Sequence, residues 1–156
     1  MINVTGRKVL LDTNLLLLLL IGSIDQHQLG NNRRVRKYGL REFTLLNECL
    51  RPARALLTTE HINSQTSDLG ASSLNGAYRT QFLLALRAIH DPLATHTLPA
   101  HEYHQPILML DLMALQRIGV ADAGAILTAK MENAVLMTDD FNLYQMALVN
   151  NVEAQN

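Results

Sequence analysis

The sequence has one cysteine, Cys49, four prolines and no tryptophan in 156 residues. A single cysteine cannot form an intrachain disulfide, which excludes a disulfide-stapled secreted scaffold and a cysteine-rich zinc site. Only 17% of the residues are charged, against roughly 25% in an average globular protein. Hydrophobic residues make up 48% of the chain. This composition excludes a disordered chain, and the excess of apolar residues predicts self-association into a homo-oligomer.

The sequence also lacks a charge excess and a long apolar run. Its 13 basic and 14 acidic residues give a net charge of −1, so no overall field directs the chain to nucleic acid or to a membrane. The apolar run at residues 15–21 has seven residues, whereas a membrane-spanning helix needs about 20. We therefore predict a cytoplasmic protein without a membrane segment, folded as one domain over residues 1–156.

Short apolar runs alternate with helical patterns along the chain. Strands buried on both faces are predicted at 9–11, 55–57 and 134–137, with a last short strand at 152–154. Helices are predicted over the leucine run and at 40–50, 60–69, 78–89, 106–115, 122–132 and 141–149, with a loop at 22–38 and a polar break at 70–76. The alternation predicts an α/β fold with a central parallel sheet and helices on both faces.

Carboxylates follow two of the predicted strands directly. Asp12 and Asp139 stand at strand ends, where open α/β sheets bind their ligands, and Asp122 opens a predicted helix. Neighbouring carboxylates repel and raise one another's pKa, and a divalent cation removes this penalty. Oxygen ligands favour Mg²⁺ or Mn²⁺ over zinc, which predicts phosphodiester hydrolysis. Alternatively, each aspartate caps a helix.

Three segments in order carry a family resemblance: Val-Leu-Leu-Asp-Thr-Asn at 9–14, Gly-Val-Ala-Asp-Ala at 119–123, and Val-Leu-Met-Thr-Asp-Asp at 135–140 followed by Leu143-Tyr144. Through them the chain resembles the PIN-domain nucleases. The resemblance implies a three-layer α/β/α domain with about five parallel strands. It also implies a metal-dependent ribonuclease that acts as the toxin of a toxin–antitoxin pair. It also implies that Asp12, Asp122 and Asp139 bind the metal, with Asn14 and Thr138 supporting them through hydrogen bonds.

The family usually carries one more acid on the helix after the second strand, and this chain departs there. Leu57-Thr58-Thr59-Glu60-His61-Ile62 matches the beginning of the family pattern, but Gln65 stands where a glutamate is expected. An amide adds no negative charge, so the resemblance implies weaker metal binding unless Glu60 or Asp140 compensates. On a helix, Glu60 and Gln65 point about 140° apart, so only one of them is expected to face the site.

Basic residues are concentrated in one segment. Residues 33–54 hold seven basic and two acidic residues, a net of +5, whereas residues 101–156 hold two basic and seven acidic residues, a net of −5. Arg33, Arg34, Arg36 and Lys37 beside an acidic pocket suit an RNA substrate gripped by its phosphates. An acidic, antitoxin-like protein partner suits the same segment, and so does an ordinary solvated loop.

Two further interpretations remain open. His96, His101 and His104 lie within nine positions, but His101-Glu102-Tyr103-His104 is one residue short of a zinc protease motif, so a zinc hydrolase is a minor alternative to surface histidines. The main alternative to a ribonuclease is a degenerate PIN fold, weakened at Gln65, that binds RNA or protein without catalysis.

Overall fold

The computed structural model of the chain describes residues 3–89 and 112–156, with side chains described from residue 118 onward in the second range. The histidine cluster and the first part of the helix predicted at 106–115 lie outside these residues. Within the described ranges, no helix combines the length and the apolar character needed to cross a membrane.

The described part of the chain is an α/β fold built on a four-stranded parallel sheet. The strands are β1 (Lys8–Leu11), β2 (Ala55–Leu57), β3 (Val135–Met137) and β4 (Ala154–Gln155). Their order in the sheet is β2-β1-β3-β4, so β1 and β3 are neighbours at the centre. These two strands are continuous apolar runs because both of their faces are covered, as the sequence predicts.

Six α-helices and one short 3₁₀ helix lie within the described ranges. The helices are α1 (Thr13–Ile24), α2 (Leu40–Leu50), α3 (Glu60–Ser73), α4 (Gly76–Ala88), α5 (Leu112–Met131) and α6 (Phe141–Val149), and the 3₁₀ helix is Gln26–Gln28. The leucine-rich α1 contacts α2, α3 and α4 as well as β1. Its leucines are therefore buried or half-buried all round the helix.

Helix α5 is interrupted at Gly119, whose φ of 76° and ψ of 178° are not helical. A positive φ costs glycine little because it has no Cβ. The sequence predicts this break, and the chain resumes its helix directly afterwards. Asp122 consequently lies in the first turn of the second part of α5, three residues after the break.

The structure corrects several predicted element boundaries. The loop predicted at 22–38 begins later, because α1 continues to Ile24. The polar break predicted at 70–76 is confined to residues 74–75, because α3 continues through Gly70 to Ser73 and α4 begins at Gly76. Gly70 is retained inside the helix because the ring of Phe82 packs directly on it, where a Cβ would lie 2.0 Å from Phe82 Cζ. The last strand lies at Ala154–Gln155 and not at 152–154. The described residues contain four strands, whereas the family resemblance implies about five.

Candidate active site

Asp12 lies between the end of β1 and the start of α1. Its backbone N–H donates to the carbonyl of Met137 at 3.0 Å, which extends the contact between β1 and β3 by one residue. One carboxylate oxygen accepts the backbone N–H of Leu15 at 2.8 Å, and the other accepts the hydroxyl of Thr138. Only 4% of Asp12 is exposed. Asp12 is therefore a helix cap, and it is also a buried carboxylate at the carboxyl edge of the sheet.

Asp139 follows β3 and faces a different set of donors. The side-chain amide of Asn14 donates to Asp139 Oδ1 at 3.0 Å. The hydroxyl of Tyr38 donates to Oδ2, and the ammonium of Lys37 forms an ion pair with the same oxygen. Both oxygens of Asp139 are thus engaged by donors from α1 and from the segment that precedes α2.

Electrostatics separate the three predicted acids into two groups. Burial raises the pKa of Asp12 to about 6, with a further contribution from the charge of Asp139. Burial also raises the pKa of Asp122 to about 6, and the charges of Asp12 and Asp140 add to it. For Asp139, burial acts upward on the pKa, but Lys37 and the other donors outweigh it and leave the pKa below its ordinary value. Among the residues that the structure describes, neither Asp12 nor Asp122 forms a salt bridge, whereas Asp139 pairs with Lys37.

A divalent cation needs several oxygen donors around one position. Within residues 3–89 and 112–156, no three His, Cys, Asp or Glu side chains form a ready-made group around a metal position. Mg²⁺ usually takes only one or two carboxylates together with water and substrate phosphate. Asp12 and Asp122 fit that requirement, because burial raises the pKa of both carboxylates and the charge of Asp12 further raises that of Asp122. Asp139 Oδ2 becomes available to a divalent cation only after Lys37 moves away.

The other predicted acids have different surroundings. Asp140 is exposed and caps α6, accepting the backbone N–H groups of Asn142 at 2.7 Å and Leu143 at 3.1 Å. Glu60 is exposed in the first turn of α3. Gln65, five residues later on the same helix, accepts a hydrogen bond from the hydroxyl of Thr13 at 2.6 Å. Of the two α3 candidates, Gln65 is the one that faces the start of α1.

The basic segment, meaning here residues 33–37, contains side chains with different roles. The guanidinium of Arg33 donates to the backbone carbonyl of Ser72 at 2.8 Å, close to the carboxyl end of α3. Arg34 and Arg36 are exposed. Lys37 turns inward to Asp139 and lies 5.0 Å from the centroid of the Tyr38 ring. The segment therefore reaches the acidic site through its last basic residue.

Sequence reasoning assigned no role in the site to Tyr38 or Thr13. Tyr38 is 8% exposed although its neighbours Arg36 and Lys37 are exposed. Burial and the charge of Asp139 raise the pKa of its hydroxyl well above the ordinary value, so the group stays protonated and acts as a donor. The one sequence signal is an aromatic residue that directly follows the basic run at 33–37.

A cavity of about 230 Å³ adjoins the site on the side of α2. Its walls are mainly apolar, from Leu15 and Leu18 of α1 and Leu45 and Leu46 of α2. Tyr38, Thr138 and Asp139 also line it. The carboxyl edge of the sheet is therefore open to a recess on one side.

The chain is similar in structure to a domain of known structure but matches no family model. No protein-family model and no curated protein matches the sequence. A domain of a functionally unknown protein from Methanocaldococcus jannaschii DSM 2661 is similar in structure, with a TM-score of 0.48 and 21% sequence identity. The similarity covers 96% of this chain and 90% of that chain.

Proposed function

We propose that this chain is a metal-dependent endoribonuclease with a PIN-like fold that hydrolyses RNA phosphodiester bonds. In this proposal the fold is the three-layer α/β/α arrangement with about five strands that the family resemblance implies. The observation that carries the proposal is the position of Asp12 and Asp139, which follow the adjacent parallel strands β1 and β3. Asp122 joins them electrostatically, because the charge of Asp12 raises the pKa of Asp122.

The proposed metal ligands are Asp12, Asp122 and Asp139, and the proposed cation is Mg²⁺ or Mn²⁺. Burying a charged carboxylate is costly unless a counter-charge is present, and Asp12 and Asp122 have pKa values raised to about 6 by burial. When bound, a divalent cation supplies activation of water and neutralisation of charge on the phosphate oxygens.

The residues around these acids hold them in place. The Leu15 N–H and the Thr138 hydroxyl fix both oxygens of Asp12. Asn14 orients Asp139. Such contacts keep ligands in a defined geometry and tune their basicity. Arg34 and Arg36, which are exposed, supply the positive surface that the RNA backbone requires in this proposal.

The test is cleavage of single-stranded and structured RNA with and without Mn²⁺ or Mg²⁺. The native chain is expected to cleave only with metal, and Asp12→Asn is expected to abolish cleavage. Asp68→Asn is the matched control, because Asp68 is an exposed carboxylate on α3. Cleavage that persists in EDTA, or that survives Asp12→Asn in full, would refute the proposal. A parallel assay with DNA tests the choice of nucleic acid.

The proposal includes two protein partners. As a toxin, the chain would be held by an acidic, antitoxin-like protein on the basic segment at residues 33–37. Self-association would cover part of the exposed apolar surface, which includes Leu40, Leu45, Phe141 and Val149. Light scattering of the isolated chain measures the second expectation directly.

A second candidate function is a non-catalytic PIN-like module that binds RNA or protein. It is favoured by the Lys37 ammonium, which already neutralises Asp139, and by the uncharged amide at Gln65. The two functions differ in the metal-dependent assay. RNA binding that is unaffected by Mn²⁺, with no cleavage under any metal, would support the non-catalytic module.

A further inference from the structure

The Lys37–Asp139 ion pair places a cation of the chain itself on a proposed metal ligand. The ammonium of Lys37 and the hydroxyl of Tyr38 contact the same oxygen, Asp139 Oδ2, while Asn14 donates to the other oxygen. A metal ion that binds Asp139 through Oδ2 therefore has to displace one of these two donors. Lys37 is the donor whose positive charge opposes the metal most strongly.

The ion pair is accessible to solvent. The side chain of Lys37 is 53% exposed, and that of Asp139 is 22% exposed. Ion pairs of this exposure contribute little net stability, because water and salt compete for both charges. A competing anion, such as a phosphate group, therefore meets little resistance in drawing Lys37 away from Asp139.

The rest of the segment places Lys37 beside a surface suited to phosphates. Arg33 is fixed to the backbone carbonyl of Ser72, and Val35 is fully buried, so the segment is attached to the body of the protein. Arg34 and Arg36 are exposed on either side of Val35. Because Arg36 directly precedes Lys37 in the sequence, a polyanion bound by these two arginines would lie close to Lys37.

We propose that Lys37 is a counter-ion released by substrate: it neutralises Asp139 in the free protein, and RNA backbone phosphates draw it away and make Asp139 available to a divalent cation. RNA binding and metal binding then support each other. This inference rests on the proposed function, because it takes Asp139 as a metal ligand.

The first test measures Mn²⁺ binding by calorimetry, without RNA. Lys37→Gln is expected to bind Mn²⁺ about fivefold more tightly than the native chain, from the charge interactions of a partly exposed site. Lys130→Gln is the matched control, since it removes an exposed lysine on α5 and is expected to leave the affinity nearly unchanged. If Lys37→Gln bound Mn²⁺ no more tightly than the native chain, or if both variants gained equally, this inference would be overturned. The proposed function would stand. Absence of Mn²⁺ binding in every protein would overturn the proposed metal site as well.

The second test measures binding of a short single-stranded RNA in EDTA at several salt concentrations. Asp139→Asn frees Lys37, and is expected to tighten binding and to steepen the log–log salt dependence by about one unit. The gain in slope is expected to vanish in the Lys37→Gln background. A gain of the same size with and without Lys37 would show that Asp139 repels RNA without restraining Lys37, and would overturn the inference.

Discussion

The hydroxyl of Thr13 donates a hydrogen bond to Gln65 Oε1 at 2.6 Å and so joins α3 to the first residue of α1. Thr13 is the residue directly after Asp12, so Gln65 lies on the side of α3 that faces the candidate active site. Glu60 and Gln65 are both exposed, and it is the hydrogen bond to Thr13 that places Gln65 beside the start of α1. The geometry of α3 thus separates the two residues that the sequence leaves as alternatives.

The first prediction is that Gln65→Glu tightens Mn²⁺ binding by roughly tenfold, the low end of effects produced by residues around metal sites. A glutamate keeps an oxygen for the Thr13 hydroxyl, so the contact between the helices is preserved, and it adds negative charge beside Asp12. Glu60→Gln is expected to change the affinity little, because Glu60 points about 140° away from Gln65 on the same helix. Calorimetry on both variants provides the comparison.

The opposite pattern is equally informative. If Glu60→Gln weakens Mn²⁺ binding and Gln65→Glu does not strengthen it, then Glu60 is the ligand and α3 turns in the metal-bound protein. If both variants bind metal and cleave RNA as the native chain does, the three aspartates suffice without a fourth acid.

The second prediction concerns Asp12→Asn in metal-free buffer at neutral pH. We expect the free energy of unfolding to hold or to rise, by on the order of 1–3 kcal/mol, because the charged form of Asp12 is disfavoured by burial. The amide oxygen still caps α1 at the Leu15 N–H, and the Thr138 hydroxyl turns from donor to acceptor. Urea denaturation measures the change. A clear loss of stability would identify Asp12 as a structural cap whose charge the fold needs.

The third prediction is a pH dependence with a defined sign. The pKa values of Asp12 and Asp122 are raised to about 6, so the stability linked to their protonated forms is present below about pH 4 and is lost as the pH rises through about 6. Asp139, whose pKa is lowered, acts the other way and destabilises the fold only as the pH falls below the ordinary carboxyl range. Metal-free protein is therefore expected to be more stable near pH 5 than at pH 7.

Metal binding is expected to show the reverse trend over the same range. Protons compete with the cation for Asp12 and Asp122, so Mn²⁺ affinity is expected to fall as the pH drops through about 6. Thermal unfolding with and without Mn²⁺ between pH 5 and 7, a range set by these pKa values, measures both trends. Stability of the metal-free protein that increases steadily toward pH 7 would contradict the assignment of two desolvated acids.

The sequence predicts the central strands and the acids at their ends because these features depend on local patterns. Strands β1 and β3 are continuous apolar runs, and a residue that follows a parallel strand lies at its carboxyl edge whatever the rest of the chain does. The break at Gly119 is a local signal too. The α/β class follows from the alternation of these elements.

Contacts between distant segments account for what the sequence does not predict. Tyr38 meets Asp139 across 101 positions, and the direction in which Lys37 points depends on that contact. The same limit applies to Gly70. The sequence predicts a helix break there, whereas in the structure the ring of Phe82 occupies the space that a Cβ of residue 70 would need. Which of Glu60 and Gln65 faces the candidate active site depends on the orientation of α3 about its own axis relative to α1. The sequence does not determine this orientation.

The fourth prediction separates the three arginines of the basic segment. Replacing Arg34 and Arg36 with glutamine is expected to weaken RNA binding and to lower the log–log salt slope by about two units, one for each lost phosphate contact. Arg33→Gln is expected to change the slope less, because its guanidinium is held by Ser72. Fluorescence anisotropy at several salt concentrations gives the slopes. Equal slopes for all variants and the native chain would show that these arginines do not contact RNA phosphates.

The fifth prediction tests the packing of α3 against α4. In Gly70→Ala, the added Cβ would lie 2.0 to 2.6 Å from three ring atoms of the fully buried Phe82, so we expect a loss of about 1–3 kcal/mol in the free energy of unfolding. Phe82→Leu alone is expected to lose stability by leaving space in the core. In the double variant the smaller leucine makes room for the Cβ, so its loss should be smaller than the sum of the two single losses. Strict additivity in urea denaturation would show that the glycine and the ring do not share this contact.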